Sequence, residues 1–264
     1  MITIKENTLE RIKSWTKDSI YILTDFDHTL TSNSSTTSWG ILEKSNYIPK
    51  EYNKKRMELF NYYGPKEFDE TIKPEEKQKL MDEWWNKHLN LFIEYQLSEE
   101  IVTKESSKKD TMILRDGTKT LLQNLHQNNI PVIIISAGIG NFIEAFLKNN
   151  NCYYDNIHII SNFISFKNGI ADGITSKLIN SQNKNEITLS SETKNLIGNR
   201  THPIIIGDNT GDAEMSQVPD ALRIGFLEKK VTENKVFYEE TFDIVCTNSS
   251  FQELINILPI LQNK

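Results

Sequence analysis

The segment Tyr21-Ile22-Leu23-Thr24-Asp25-Phe26-Asp27-His28-Thr29 joins an apolar run to two aspartates two positions apart. A run such as Ile20–Leu23 reads as a buried strand. The carboxyl end of such a strand is where open α/β sheets bind ligands. Two carboxylates at that end can hold a divalent cation and still supply a nucleophile and a proton donor. Taken alone, Asp-x-Asp-x-Thr is equally well a surface turn. The rest of the chain decides between the two.

Outward from this segment, short Ile- and Val-rich runs recur at Pro131–Ile135, Ile157–Ile160, Pro203–Ile206, Ala221–Ile224 and Phe242–Val245. Nearly continuous apolarity is the signature of parallel strands covered on both faces. Helical patterns lie between them: Gly117–Asn128 with Leu121, Leu122 and Leu125 on one face, Ile143–Leu147, and Ser250–Leu261. The alternation predicts a doubly wound α/β sheet. The interval 32–109 breaks it, being polar, aromatic and helix-like. Glu51–Phe60 has helical spacing, and Pro74-Glu75-Glu76-Lys77 reads as a helix start. Met81, Trp84, Trp85, His88, Leu89 and Phe92 then fall largely on one stripe, which core packing of a helical subdomain explains better than aromatics facing a cleft do. We therefore expect a core domain from residues 1–31 and 110–264, and a helical domain from 32–109. Inserted after the first core strand, the helical part sits over the carboxyl edge of the sheet and can close over Asp25 and Asp27.

Three further motifs follow. Val132-Ile133-Ile134-Ile135-Ser136-Ala137-Gly138-Ile139-Gly140-Asn141 ends a strand in a hydroxyl and glycines, then starts a helix. Backbone N–H groups at a helix start suit an anion such as phosphate, although a tight turn has the same composition. Ile204-Ile205-Ile206-Gly207-Asp208-Asn209-Thr210-Gly211-Asp212 ends another strand in an acid, with a second acid four residues on. Mg2+ takes oxygen ligands, so Asp208, with Asp212 through water or as a brace, would complete a site begun by Asp25. Lys184 stands in a polar loop, where a lysine is ordinarily solvated, and only its position between Ser136 and Asp208 promotes it.

In combination these motifs resemble the haloacid dehalogenase-like (HAD) phosphohydrolase superfamily. Pro74-Glu75-Glu76-Lys77, Met81-Asp82-Glu83-Trp84-Trp85, Ile135-Ser136-Ala137-Gly138-Ile139-Gly140, Ile160-Ser161-Asn162-Phe163 and Asn183-Lys184 look more narrowly like the cytosolic pyrimidine 5'-nucleotidase family, class III. The resemblance implies a Rossmann-like core, a parallel sheet flanked by helices, and a helical C1-type cap after the first strand. It places the nucleophile on Asp25 and the general acid/base on Asp27. Phosphate contacts fall on Ser136, Ala137, Gly138 and Lys184. Metal ligation falls on Asp25, the Asp27 backbone carbonyl and Asp208, supported by Asp212. Substrate contacts in the cap fall on Glu51 and Trp84. The chain departs from the family over Thr31–Tyr47, at His28, and at Asn141, where family members often carry an acid; these differences bear on substrate choice.

Composition narrows the partners. The chain has 264 residues and a formal net charge of -6, without a long basic run, which disfavours a nucleic-acid polymer. No segment approaches the ~20 apolar residues of a membrane span. The N-terminal residues lack the apolar stretch of a signal peptide, and two cysteines, Cys152 and Cys246, form no disulfide framework. A cytoplasmic enzyme is the expectation. Its reaction would be Mg2+-dependent hydrolysis of a small phosphate ester, a nucleoside 5'-monophosphate by the resemblance. Trp39, Tyr62, Tyr63, Trp84 and Trp85 could stack on a base. Phosphoserine or a sugar phosphate is the alternative substrate, and a catalytically silent binding protein the alternative class.

Overall fold

The computed structural model describes residues 1–67, 69, 71–175, 177–184, 189–247 and 250–262. In chain order the elements are β1 (Ile2–Ile4), α1 (Thr8–Ile12), β2 (Ile20–Thr24), α2 (Lys50–Glu67), α3 (Pro74–Glu94), α4 (Glu99–Ser106), α5 (Thr118–Gln127), β3 (Val132–Ile139) and α6 (Gly140–Asn149). There follow β4 (Ile157–Asn162), β5 (Ile164–Lys167), β6 (Ile170–Ile174), α7 (Ser191–Ile197), β7 (His202–Gly207), β8 (Leu222–Phe226), α8 (Val231–Thr241), β9 (Ile244–Cys246) and α9 (Phe251–Ile257).

Seven strands form the main sheet in the order β1-β9-β8-β7-β2-β3-β4, parallel throughout except for β1 at one edge. Every residue of β2 is buried, as the continuous apolar run predicted. The chain runs from β2 to β3 and β4 on one side, then returns to β7 on the other. That reversal makes the carboxyl ends of β7, β2 and β3 a crevice for ligand. Neighbouring strands lie about 4.8 Å apart. The loops that follow these three strands are therefore obliged to meet.

The helices α2, α3 and α4 stand between β2 and β3 in sequence. The chain leaves the sheet and returns along paired segments: Thr31 bridges Leu114, and the Ser32 N–H donates to the Ile113 carbonyl at 2.8 Å. Of the predicted stripe on α3, Met81, Trp85, His88, Leu89 and Phe92 are buried, and Trp84 is half-buried. Tyr52 of α2 packs against Phe92, and its hydroxyl lies 3.1 Å from His88 Nε2.

Several elements have no counterpart in the pattern reading, among them β1, the hairpin of β5 and β6, and α8. β1 is three residues long and pairs only with β9. The hairpin of β5 and β6 stands apart from the main sheet. Helix α8 has no buried residue, so it shows no apolar face to detect. Among the described residues no helix is long and apolar enough to cross a membrane.

Candidate active site

Asp25 is the first residue beyond β2, and its N–H donates to the Ile206 carbonyl of β7 at 2.9 Å, which fixes it beside that strand. Asp208 follows β7 directly, and Ser136 lies within β3. Carboxylate oxygens of Asp25, Asp208 and Asp212 come within 4.8 Å of one another. Lys184 Nζ donates to Asp25 Oδ1 at 2.5 Å and to Asp212 Oδ1 at 2.8 Å. Lys184, which the resemblance assigns to phosphate, thus has a side chain only 10% exposed. Its loop is held by Asn183, whose Oδ1 accepts the Asn180 N–H at 2.9 Å and whose Nδ2 donates to the Leu178 carbonyl at 3.1 Å. The next residues, 185–188, lie outside the described chain.

The acidic loop after β7 folds back on itself. Asn209 caps a single 3-10 turn, and its own N–H donates to Asp212 Oδ2 at 3.0 Å. Gly207 makes this possible: a Cβ there would lie 2.3 Å from the Asp212 Cβ. The Tyr238 hydroxyl donates to the Asp208 carbonyl at 2.5 Å.

Asp27 is positioned differently. Its Oδ1 accepts the Ser38 N–H at 2.9 Å and its Oδ2 the Ser38 hydroxyl at 2.7 Å. Ser38 Oγ in turn accepts the Ile139 N–H at 3.1 Å. Gly138 lets these groups approach, because a Cβ there would lie 2.1 Å from Ser38 Oγ. Between the aspartates and the returning chain, His28 adopts a left-handed φ of 62°. The buried Arg115 braces that turn, donating to the His28 carbonyl at 2.5 Å and the Thr29 carbonyl at 2.8 Å.

The serine turn is braced from several sides. The Ala137 carbonyl accepts the indole N–H of Trp39 and of Trp85, each at 2.9 Å, and the Asn162 amide at 3.0 Å. The Ser161 hydroxyl donates to the Gly138 carbonyl at 2.9 Å, and Phe163 occupies the space a Cβ on Gly140 would need. The Ile160–Phe163 string therefore buttresses the turn. Ser136 Oγ accepts the Gly138 N–H at 3.0 Å.

Four carboxylates share this pocket with the Lys184 ammonium, and burial opposes the ionisation of Asp25, Asp27 and Asp208. Burial pushes Asp25 up to about 7, against the pull of Lys184 and with help from Asp212. Burial pushes Asp27 up to about 6 against the Ser38 donors, and Asp208 well up, with Asp25 and Asp212 adding to it. A cluster of buried, like-charged oxygen donors in mutual reach has the chemistry that a hard divalent cation compensates. The residues present fit such an ion.

Beyond these groups lies a cavity of about 850 Å³. Ser136, Ala137, Gly138, Lys184 and all four aspartates line it, together with Trp39, Phe60, Glu67, Trp84 and Trp85. Trp84 is thus one of the side chains that line the cavity. Glu51 is not: it is exposed on the first turn of α2 and reaches Lys54 at 3.6 Å. The cavity carboxylate from α2 is Glu67, at the other end of the helix. Burial pushes Glu67 up, while Ser181 and Lys184 draw it down. Tyr62 and Tyr63 also miss the cavity and face a separate groove between α2 and α3, whereas Phe60 lines it. Sequence reasoning missed Ser38, Glu67, Phe60 and Arg115. Spacing carried no signal for them, since each reaches the site only through the tertiary approach of the inserted segment or of the chain returning from it.

Comparisons with known proteins show the family and the fold of the chain. The family model Pyrimidine 5'-nucleotidase (UMPH-1) matches residues 21–261. The chain is 33% identical over 250 residues to the 7-methylguanosine phosphate-specific 5'-nucleotidase of Mus musculus, covering 90% of this chain and 83% of the relative. It is 34% identical over 262 residues to the 7-methylguanosine phosphate-specific 5'-nucleotidase B of Xenopus laevis, covering 95% and 90%. A crystal structure of cytosolic 5'-nucleotidase IIIB bound to cytidine superposes with a TM-score of 0.88 at 29% identity, covering 98% of this chain and 93% of the other. A substrate-bound phosphoserine phosphatase, at 18% identity and a TM-score of 0.57, shares the fold.

Proposed function

The chain belongs to the pyrimidine 5'-nucleotidase (UMPH-1) family of the haloacid dehalogenase-like superfamily, an α/β phosphatase of the 5'-nucleotidase type, and on that premise we propose that it hydrolyses nucleoside 5'-monophosphates, pyrimidine nucleotides foremost, with Mg2+ and through an aspartyl-phosphate. The observation that carries this reading is the convergence of Asp25, Lys184, Asp208 and Ser136 on a cavity that Trp39, Phe60, Trp84 and Trp85 also line. The first group suits a phosphoryl group, and the second suits a base, which stacks on aromatic faces.

In this reading a carboxylate oxygen of Asp25 attacks phosphorus in line, and the bond from phosphorus to the ester oxygen breaks. Asp27, held by both Ser38 donors, gives its proton to the departing 5'-oxygen. Asp27 then takes a proton from water as that water attacks phosphorus, releasing phosphate and restoring Asp25. Lys184 and the Ser136 turn hold the phosphoryl oxygens. Asp25, Asp208 and the Asp27 carbonyl would hold Mg2+, with Asp212 in support. Bound there, the ion neutralises charge on the phosphoryl oxygens. Helices α2, α3 and α4, within 32–109, serve as the cap over a core formed by 1–31 and 110–264, in a cytoplasmic enzyme. Trp84, Phe60 and Glu67 are the cap side chains offered to the nucleoside.

The test is hydrolysis of UMP, CMP, AMP, phosphoserine and a hexose phosphate with Mg2+ and with chelator. We expect nucleotide turnover that chelator abolishes and Mg2+ restores, and near-complete loss of it in Asp25→Asn. Full activity in Asp25→Asn, or no preference for nucleotides over the other esters, refutes the reading.

A further inference from the structure

One turn of α3 touches both of the loops that hold phosphate in the reaction above. Trp85 donates its indole N–H to the Ala137 carbonyl of the serine turn at 2.9 Å. Asp82, three residues earlier, accepts the side-chain amide of Asn180 on its Oδ1 at 2.6 Å. Residues three apart are neighbours on a helix surface, so a single face of α3 meets the two loops together. Asn180 is wholly buried and belongs to the loop that carries Lys184, whereas Asp82 is half-buried and also accepts the Gln78 amide at 2.9 Å.

Asn180 organises its loop. Its N–H donates to Asn183 Oδ1 at 2.9 Å, and its own Oδ1 accepts the Gln182 N–H at 2.8 Å. Lys184 comes directly after Asn183 and puts its ammonium between Asp25 and Asp212. Asn162 closes a circuit. It donates to the Ala137 carbonyl at 3.0 Å and to the Ile179 carbonyl at 2.7 Å, and it accepts the Ile179 N–H at 2.8 Å. Hydrogen bonds thus run from α3 through the serine turn and Asn162 to the Lys184 loop, and back to α3. From α2, Glu67 reaches Ser181 in the same loop. A buried amide donor left without an acceptor is costly, so the Asn180 side chain favours this form of the loop when Asp82 is seated against it.

We infer that Asp82 is a positioning residue for phosphate: seated on Asn180, it fixes the loop that aims Lys184, so the place of the ammonium depends on the docking of α3 against the core. This role rests on the phosphatase reading of the site, in which Lys184 holds a phosphoryl oxygen, and is independent of which ester is the substrate. Asp82 does not line the cavity, so it acts through the loop and not on the ester.

The test is made with Mg2+ present. It measures affinity for inorganic phosphate by calorimetry, and kcat/KM for p-nitrophenyl phosphate and UMP, with folding of each variant checked by its thermal transition. Asp82→Ala removes the acceptor. It should weaken phosphate binding and lower kcat/KM by about tenfold or more, with the same factor on both esters. Asp82→Asn keeps a side-chain oxygen as acceptor and should stay within about twofold of the wild type. Asn180→Asp sets two carboxylates against each other and should lose as much as Asp82→Ala. Combined with Asp82→Asn, which returns a donor to the pair, it should recover most of that loss. A folded Asp82→Ala with wild-type phosphate affinity overturns the role, as does a loss confined to UMP, which would put Asp82 at the nucleoside. If Asp82→Ala does not fold, the reversed pair decides: a double variant no better than Asn180→Asp alone overturns the role. Hydrolysis of p-nitrophenyl phosphate without hydrolysis of UMP refutes the nucleotide substrate, while the Asp82 variants are still judged on phosphate and on that ester.

Discussion

At the scale of single residues, acids at strand ends could be read from the chain and the groups that aim them could not. Asp25 and Asp208 are visible because a strand ends and a carboxylate follows. Ser38 is one hydroxyl in the run Ser34-Ser35-Thr36-Thr37-Ser38, and nothing local marks it. Yet both oxygens of Asp27 rest on it. Ser38→Ala removes the hydroxyl donor, keeps the N–H donor, and leaves the Ile139 N–H without its acceptor. A hydrogen bond to a charged group is worth about 1.5–3 kcal/mol. If Asp27 is the acid, kcat should fall about tenfold or more while KM changes little. Steady-state kinetics on UMP check this; an unchanged kcat would detach Ser38 from catalysis. Glu51 shows the converse limit. A carboxylate on α2 was expected at the cavity, but helical phase and length put Glu67 there and left Glu51 in solvent.

At the scale of elements, the stripe on α3 was legible because 3.6-residue periodicity reports burial directly. What it packs against was not. His88 is enclosed by Tyr52, Trp39 and Phe92, and burial holds its imidazole at about 3. The unfolded chain would protonate it near its ordinary value of about 6.5. The unfolded state therefore binds the extra proton between those limits, and stability rises with pH across the window. The contribution of His88 is complete above about 6.5 and is lost as pH falls toward 3. We expect the melting temperature to drop between pH 7 and pH 4. The drop should be smaller in His88→Gln, which offers Tyr52 a partner but does not titrate. Parallel thermal melts over that range measure the difference, and equal drops would show that His88 takes no part. Helix α8 and strand β1 escaped the reading for the opposite reason: one has no fully buried residue, and the other is too short to carry a pattern.

At the scale of the whole molecule, the sheet order explains why so much could be read from sequence. β7, β2 and β3 are adjacent, so three motifs far apart in the chain are delivered to one edge by backbone pairing alone. Lys184 needed the asparagine-braced loop as well, and composition could not show that loop folding inward. The same core encloses both thiols. Burial pushes Cys152 up to about 11 and Cys246 up to about 12. A thiolate is the reactive form. At pH 8 iodoacetamide should leave both untouched in the native protein and modify both in denaturant, as intact mass would record. Rapid native labelling would contradict the enclosure.

The Ala137 carbonyl has a final consequence. It belongs to the same peptide unit as the Gly138 N–H, which donates to the Ser136 hydroxyl. Two indoles and an amide pulling on one end of that unit polarise it, and polarised hydrogen bonds strengthen their successors in a chain. Docking of Trp39 and Trp85 is thereby felt electronically at Ser136, whose hydroxyl becomes a more acidic donor. If Ser136 holds a phosphoryl oxygen as proposed, the strength of that hold depends in part on the two seated indoles, with no atom of the serine having to move.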